Sequence, residues 1–434
     1  MAVEYVITAF AAMLIMMIVG LPIAVAMAAV GIIGGVAVYG APFMNSISPV
    51  IWGVQNNSLL TSIPLFVLLG ELLLRAGIAD GMYKSLSVWL GRLPGGLLHS
   101  NIGTCALFAA TSGSSVATAA TVGTVALPSL NERNYKMSKS LGSLAAGGAL
   151  GILIPPSVNL IIYGSLTNTS IGQLFVGGVV PGILLTLLFM AFIAASSIFD
   201  KTDVKHETKA SWAERWKSSV DLIPPLVIFL IVMGSIYSGL ATATESAALG
   251  VVAALFFTAL KKRCTWSILQ ACFIQTARVS GMILLIITAA FILNLTISLT
   301  GVAEAMSAWV TSLGLSTVGF LLALVVFYLI LGMFMDVLSM QVATIPITYP
   351  MSQALGIDPV WFGIFVVMMC ELGLITPPVG MNLFVVQGIR PDNGSISDVM
   401  KGAVPFVALM LVFTLALIAI PQIVTWLPNL MKPA

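Results

Sequence analysis

Leu150-Gly-Ile-Leu-Ile-Pro155-Pro156-Ser157-Val-Asn159 and Leu372-Gly-Leu-Ile-Thr376-Pro377-Pro378-Val-Gly-Met-Asn382 are two versions of one stretch, each inside an otherwise apolar segment. A Pro-Pro pair removes two backbone donors and stops any helix running through it, leaving carbonyls and amides unpaired. At membrane depth such a break is tolerated only where it lines a site. A further proline precedes each break by the same interval, Pro128 before Pro155 and Pro350 before Pro377. Two broken helices in corresponding halves are the strongest sequence pointer to a transporter's binding site.

The chain of 434 residues is 59% hydrophobic and 8% charged, with mean hydropathy +1.09. Soluble domains carry about a quarter charged residues, so the composition excludes a soluble globular protein and predicts a polytopic membrane protein. Cys105, Cys264, Cys272 and Cys370 show neither metal-ligand spacing nor a disulfide framework. No cofactor motif or basic nucleic-acid stripe is present, and the expectation is no organic cofactor and no nucleic-acid partner. Glu4 and the apolar run after it read as a retained first span rather than a cleaved signal.

Windows of about 20 apolar residues mark the spans. They fall at 4–20, 22–39 and 62–76, with a polar stretch at 45–61 and an amphipathic, interfacial arm at 78–93. The apolar run from Leu97 to Leu130 is interrupted at Ser112-Gly113-Ser114-Ser115, which predicts a re-entrant hairpin with a polar tip. A broken span over 140–166 and a further span over 173–199 complete a first half. A charged linker, 200–221, follows. The second half repeats the order: spans at 222–238 and 240–260, an interfacial stretch at 264–278, a span at 279–299 and an arm at 301–313. Then come a hairpin at 315–350 interrupted at Gly332-Met-Phe-Met-Asp336, a broken span at 359–388 and a last span at 402–426. The expected divisions are therefore 1–93, 94–199, 200–221, 222–313 and 314–434. Overlaying the proline pairs sets Ser114 opposite Asp336.

Threading these elements places every Lys and Arg except Lys432 on one face, which the positive-inside rule makes cytoplasmic. The N-terminus is then outside. Each half crosses the bilayer an odd number of times, so the expected fold is all-α with two inverted-topology repeats. Each repeat holds three scaffold spans, a re-entrant hairpin, a broken helix and a further span.

Two tips and two breaks would meet near the midplane. Half-helix N-termini suit an anionic solute and free carbonyls suit Na⁺. Ser112, Ser114, Ser115, Thr118, Asn159, Thr376 and Asn382 add hard, neutral oxygens, which favour an alkali cation over a transition metal. Serine and glycine in apolar helices ordinarily serve close packing; their place at a tip, repeated in the other half, argues for more. Asp336, an acid among apolar residues, reads as a sodium ligand or protonatable group, or as the cap of a half-helix. Glu245 reads as a helix-start acid of the scaffold. Glu71 and Glu371 are ambiguous, Glu371 having the stronger claim because it abuts the second break. His99 and His206 read as a hairpin-base residue and a solvated linker residue.

Ser62-Ile-Pro-Leu-Phe66, Pro94-Gly-Gly96, Gly113-Ser-Ser115, Leu153-Ile-Pro-Pro-Ser157, Gly332 to Asp336 and Thr376-Pro-Pro-Val-Gly380, in that order, resemble the large membrane subunit of tripartite ATP-independent periplasmic transporters. The hairpins and Pro-Pro breaks are also similar to those of the divalent-anion/sodium symporters. The resemblance implies an elevator-type transporter importing an organic acid, of the C4-dicarboxylate or sialic acid type, with Na⁺ as coupling ion. Its implied partners, besides the lipid bilayer, are a small four-helix membrane subunit and a periplasmic solute-binding protein. Implied sodium ligands are Ser112, Ser114, Ser115, Gly151, Pro155 and Asn159 at one junction and Gly332, Asp336, Gly373, Thr376 and Asn382 at the other. Ser114, Ser115, Thr118, Ser157, Asn159, Asp336 and Asn382 would face the solute. A stand-alone Na⁺/dicarboxylate symporter is the alternative. An intramembrane enzyme is disfavoured, since no second acid pairs with Asp336 and no histidine lies near a serine tip.

Overall fold

A computed structural model describes residues 2–199, 210–312 and 314–431. The basic residues Lys201, Lys205, Lys209 and Lys432, together with His206, lie outside the described residues. Every regular element described is helical. Helices α1 (Ala2–Ile18) and α2 (Ile23–Tyr39) meet at a turn where Gly20 takes φ +96°. Helix α3 (Met44–Gln55) leads to α4 (Ser62–Arg75) and α5 (Ile78–Leu90), bent by 66° at left-handed Gly77. Helices α6 (Leu97–Ser112) and α7 (Ser115–Glu132) form the first hairpin, and α8 (Met137–Gly148) and α9 (Val158–Thr167) flank the first break. Helix α10 (Ile171–Phe199) closes the half.

The second half runs α11 (Trp212–Ser219), α12 (Ile223–Tyr237), α13 (Ala243–Leu260), α14 (Trp266–Leu299) and α15 (Val302–Ser312). Its hairpin is α16 (Thr317–Gly332) and α17 (Val337–Ala354), and its broken span is α18 (Pro359–Ile375) and α19 (Met381–Gly388). Helices α20 (Ile396–Ala419) and α21 (Gln422–Leu430) end it. Among the described residues, five helical stretches are long and apolar enough to cross a membrane: α10, Trp212–Tyr237, α13, α14 and α20. The protein is multi-pass, as its composition requires.

Packing repeats between the halves. The first helix of each hairpin lies on the pre-break helix of its own half, α6 on α8 and α16 on α18. The second helix of each hairpin lies on the post-break helix of the other half, α7 on α19 and α17 on α9. Helices α2, α4, α12, α13 and α14 pack among themselves as a separate bundle, with α14 against both α2 and α4.

The structure sharpens five expectations. The polar stretch 45–61 is largely helix α3, with Asn45 and Ser48 exposed, and the helix ends before Asn56-Asn57-Ser58. The interfacial stretch 264–278 and the span 279–299 are one helix of 34 residues. Polar Gln270, Gln275 and Arg278 change the medium without breaking the backbone, and the helix, about 51 Å long, exceeds the hydrocarbon core of about 30 Å. The arm α5 is a helix of 13 residues that buries Ile78, Ala79, Met82, Tyr83 and Ser85 against protein and packs on the hairpin base. The described part of the linker is helical: Ser211 and Glu214 form a capping box that starts α11. Finally, the last span begins at Ile396 and stops at Ala419, where Pro421 opens a separate short helix.

Candidate functional site

At the first tip, left-handed Gly113 ends α6, and Ser114, in extended conformation, caps α7 by accepting a hydrogen bond from the Ala117 amide at 3.3 Å. Ser112 and Thr118 pair through their hydroxyls at 3.0 Å, and Thr118 Oγ1 donates to the Ser114 carbonyl at 2.7 Å. The tip sits directly on the first break. A Cβ on Gly113 would lie 2.8 Å from the Pro156 carbonyl oxygen, and one on Gly151 would lie 2.6 Å from the Ser115 amide nitrogen. Only glycine permits these approaches. The tip residues Gly113 to Ser115 thus touch Gly151 and Pro156 of the stretch from Gly151 to Asn159 that the resemblance sets beside them.

At the second tip, Asp336 caps α17, accepting from the Ser339 amide at 3.2 Å and from the Ser339 hydroxyl. Ser114 and Asp336, set opposite each other by the sequence overlay, are both N-caps. This tip also meets its own break, glycine on glycine: a Cβ on Gly332 would lie 2.6 Å from Gly373 Cα. Thr376 ends α18 with its hydroxyl donating to the Leu372 carbonyl at 2.6 Å. Both Pro-Pro bonds, 155–156 and 377–378, are cis.

Contacts at both asparagines cross between the halves. The backbone carbonyl of Asn159, at the start of α9, accepts from the side-chain amide of Gln341 of α17 at 2.9 Å. Asn382 points its Nδ2 at the Ala145 carbonyl of α8, 3.5 Å away, so it stands nearer the first half's pre-break helix than the second tip. Its Oδ1, the Gln341 Oε1 and the Ser157 hydroxyl are buried without hydrogen-bond partners among the described residues.

Glu371 lies among the ambiguous acids of the sequence and at the centre of the structure. Fully buried on α18, it crosses to the first half, where its Oε1 accepts from the Ser115 hydroxyl at 2.5 Å and from the Ile152 amide at 2.8 Å. Gln341 went unnoticed altogether. The available signal for both was a lone polar residue in an apolar run, which marks function by default in a membrane segment. The remaining acids have structural work. Glu71 pairs with Arg75 at 3.1 Å, Glu245 completes a capping box with Thr242, and His99 contacts the Pro94 carbonyl at 2.7 Å at the hairpin base. Beyond α19, the Arg390 guanidinium binds Asp392 and, at 2.9 Å, Asp398. Its hydrogen bonds hold the Asp392 carboxyl below the usual carboxylate range, while Asp392 in turn raises Arg390.

Broken helices crossed by helical hairpins, with polar oxygens and helix ends gathered at two junctions in a multi-pass chain, are the architecture of a membrane-embedded transport protein. The family described as the DctM component of tripartite ATP-independent periplasmic transporters matches residues 10–423, and the chain belongs to that family. The C4-dicarboxylate TRAP transporter large permease protein DctM of Rhodobacter capsulatus is 32% identical over 97% of this chain and 98% of its own length. The isethionate TRAP transporter permease protein DctMQ of Oleidesulfovibrio alaskensis is 33% identical over 94% of this chain and 64% of its own length. Relatives named for ectoine/5-hydroxyectoine in Ruegeria pomeroyi, 29% identical over 98% of each chain, and for sialic acid in Haemophilus influenzae, 33% identical over 86% of this chain and 60% of that one, are also similar. Among solved structures, the Alcanivorax borkumensis YdaH transporter, described as having an unusual topology, shares the fold with TM-score 0.56 and 16% identity, covering 87% of this chain and 89% of that one. The chain is a TRAP large permease, a transport protein and not an enzyme. Its family works with a small membrane subunit and a periplasmic binding protein.

Proposed function

We propose that this large permease imports an organic acid with Na⁺ across a bacterial inner membrane, its N-terminus in the periplasm. The solute would be handed over by a binding protein and a separate small four-helix subunit would complete the membrane complex. The observation that carries this reading is the first junction, where hydroxyls of Ser112, Ser114 and Thr118 stand beside the backbone of Gly151 to Pro156 without any basic side chain. That donor set suits an alkali cation. The N-terminus of α7 is capped by the neutral Ser114 and that of α17 by the Asp336 carboxylate, which answers the α17 dipole. Na⁺ at the second tip would draw on Asp336 and the carbonyls around Gly373.

In transport, the hairpins and broken spans would move as one body, in an elevator motion, against the bundle of α2, α4, α12, α13 and α14. The names of the relatives cover a dicarboxylate, a sulfonate, a sialic acid and a zwitterion, so much of the choice among solutes falls to the binding protein.

The test is uptake of radiolabelled C4-dicarboxylates, sialic acid, isethionate and ectoine into liposomes holding this chain and its small subunit. It is run with and without the binding protein and with Na⁺ or K⁺ outside. Uptake requiring all three proteins and inward Na⁺ supports the reading. Uptake by this chain alone would convert it to a stand-alone symporter, and uptake indifferent to Na⁺ would remove the sodium sites.

A further inference from the structure

We propose that Glu371 supplies the fixed negative charge of the first-tip cation site, although it belongs to the opposite half of the chain. The inference rests on the Na⁺ reading above and adds a residue to it. Helix α18 carries Glu371 into the junction, and the whole residue is excluded from solvent. Its Oε1 takes both hydrogen bonds, from Ser115 Oγ at 2.5 Å and Ile152 N at 2.8 Å. These two donors are the first residue of α7 and the first residue beyond Gly151, so the carboxylate touches the tip and the break at once. Its Oε2 has no hydrogen-bond partner among the described residues.

A buried carboxylate is held by an ion pair, a metal or a full set of donors. Glu371 forms no ion pair with Lys, Arg or His among the described residues. Its ionisable neighbour on α18 is Cys370, the residue before it. Cys370 brings no positive charge. From α20 only Asp398 and Lys401, in its first two turns, are ionisable, and Asp398 is tied to Arg390. A single negative charge, half-satisfied and in contact with the hydroxyl-rich first tip, is complementary to one monovalent cation. A divalent ion would want several carboxylates. Glu371 acts here through charge and through the position it fixes for Ser115 and Ile152.

The decisive variant is Glu371→Gln. Glutamine keeps an acceptor for Ser115 and Ile152 and removes only the charge. The probe is NaCl against choline chloride, read as the Na⁺-induced thermal shift of the purified complex with its small subunit and as the Na⁺ concentration for half-maximal uptake in liposomes. E371Q should melt like wild type without Na⁺ and need about tenfold more Na⁺ or higher, as expected for losing one nearby unit charge in a poorly solvated site. Should E371Q fail to accumulate, E371M, similar in length and neutral, answers the same question, because apolar replacements of buried charges are often tolerated. A neutral variant with wild-type Na⁺ dependence overturns the proposal and leaves the sodium reading standing. A wild-type complex that shows no Na⁺ response overturns both.

Discussion

The two tip junctions occupy matching places in the two halves and are built from opposite materials. The first is rich in side-chain oxygen: Ser112, Ser114, Ser115 and Thr118 surround a backbone break, with Glu371 behind them. The second brings backbone against backbone at Gly332 and Gly373, and its acid is engaged in capping α17. Both acids, Asp336 and Glu371, come from the second half. The first half thus contributes the tip hydroxyls and the second half both acids, and the groups proposed to bind the ion come together only where the halves meet.

The largest effect should come from closing the glycine contact. In Gly373→Val the new Cβ would lie 2.8 Å from Gly332 Cα, and since the obstacle is backbone no rotamer change relieves it. Overpacking of this kind costs about 1–3 kcal/mol or more. We expect loss of uptake together with a lower melting temperature. Gly151→Val should do the same at the first junction, where the obstacle is the Ser115 backbone. If the first junction tolerates valine while the second does not, its fit is looser than its geometry indicates.

Next in size is the contact between the first tip and the surrounding bundle. Gly70 of α4 faces the Ser112 carbonyl, and a Cβ there would stand 3.1 Å from that oxygen. Gly70→Ala needs a shift of tenths of an ångström, whereas Gly70→Leu places a branched chain in the path of the tip. We expect G70L to accumulate normally and to lower uptake about tenfold, with G70A near wild type. Equal uptake by all three proteins would show that α4 and the tip do not slide past each other.

Much of this asymmetry was open to a reader of the sequence, and some was not. Pro-Pro pairs, the Gly-Ser-Ser tip and Asp336 are local signals, because proline and glycine act on the backbone they belong to. They placed both hairpins and both breaks, while the pairing of each tip with its own break came from the family resemblance. Glu371 and Gln341 matter through contacts 256 and 182 residues away in sequence, to Ser115 and Asn159. Only the three-dimensional crossing of the halves creates those contacts. Likewise, α14 was divided at Arg278 since hydropathy reports the medium around a helix and is blind to whether its backbone continues.

Asp336 permits a finer cut through the comparison. Asparagine caps a helix about as well as aspartate, whereas alanine costs roughly 1 kcal/mol. Asp336→Ala should therefore destabilise the protein by about that amount, and Asp336→Asn should leave its melting unchanged. If Asp336 also serves Na⁺, D336N will need more Na⁺ for half-maximal uptake despite its intact stability. Unaltered Na⁺ dependence in D336N would make capping its whole role and leave Glu371 the single acid among the ion-binding groups.

The smallest effect lies where the post-break helices end. Helix α9 finishes at left-handed Asn168 with the hydroxyls of Thr167 and Thr169 paired at 2.8 Å, a neutral closure. Helix α19 finishes at Arg390, which grips Asp392 and Asp398. Since Arg390 holds the Asp392 carboxyl below its usual range, folding favours the ionised form. That stabilisation is complete above the unfolded carboxylate value, about 3.9, and is lost as the pH falls through the lower folded value. Asp392 is 42% exposed on its side chain, so solvent screening keeps the contribution within about 1 kcal/mol. Melting temperatures of wild type and Asp392→Asn should differ slightly at pH 7 and converge in acid, whereas Thr169→Ala at the end of α9 should differ from wild type by the same amount at both. A gap for D392N that persists in acid would mean that Asp392 holds the α19 end by its shape and hydrogen bonds, with no need of its charge.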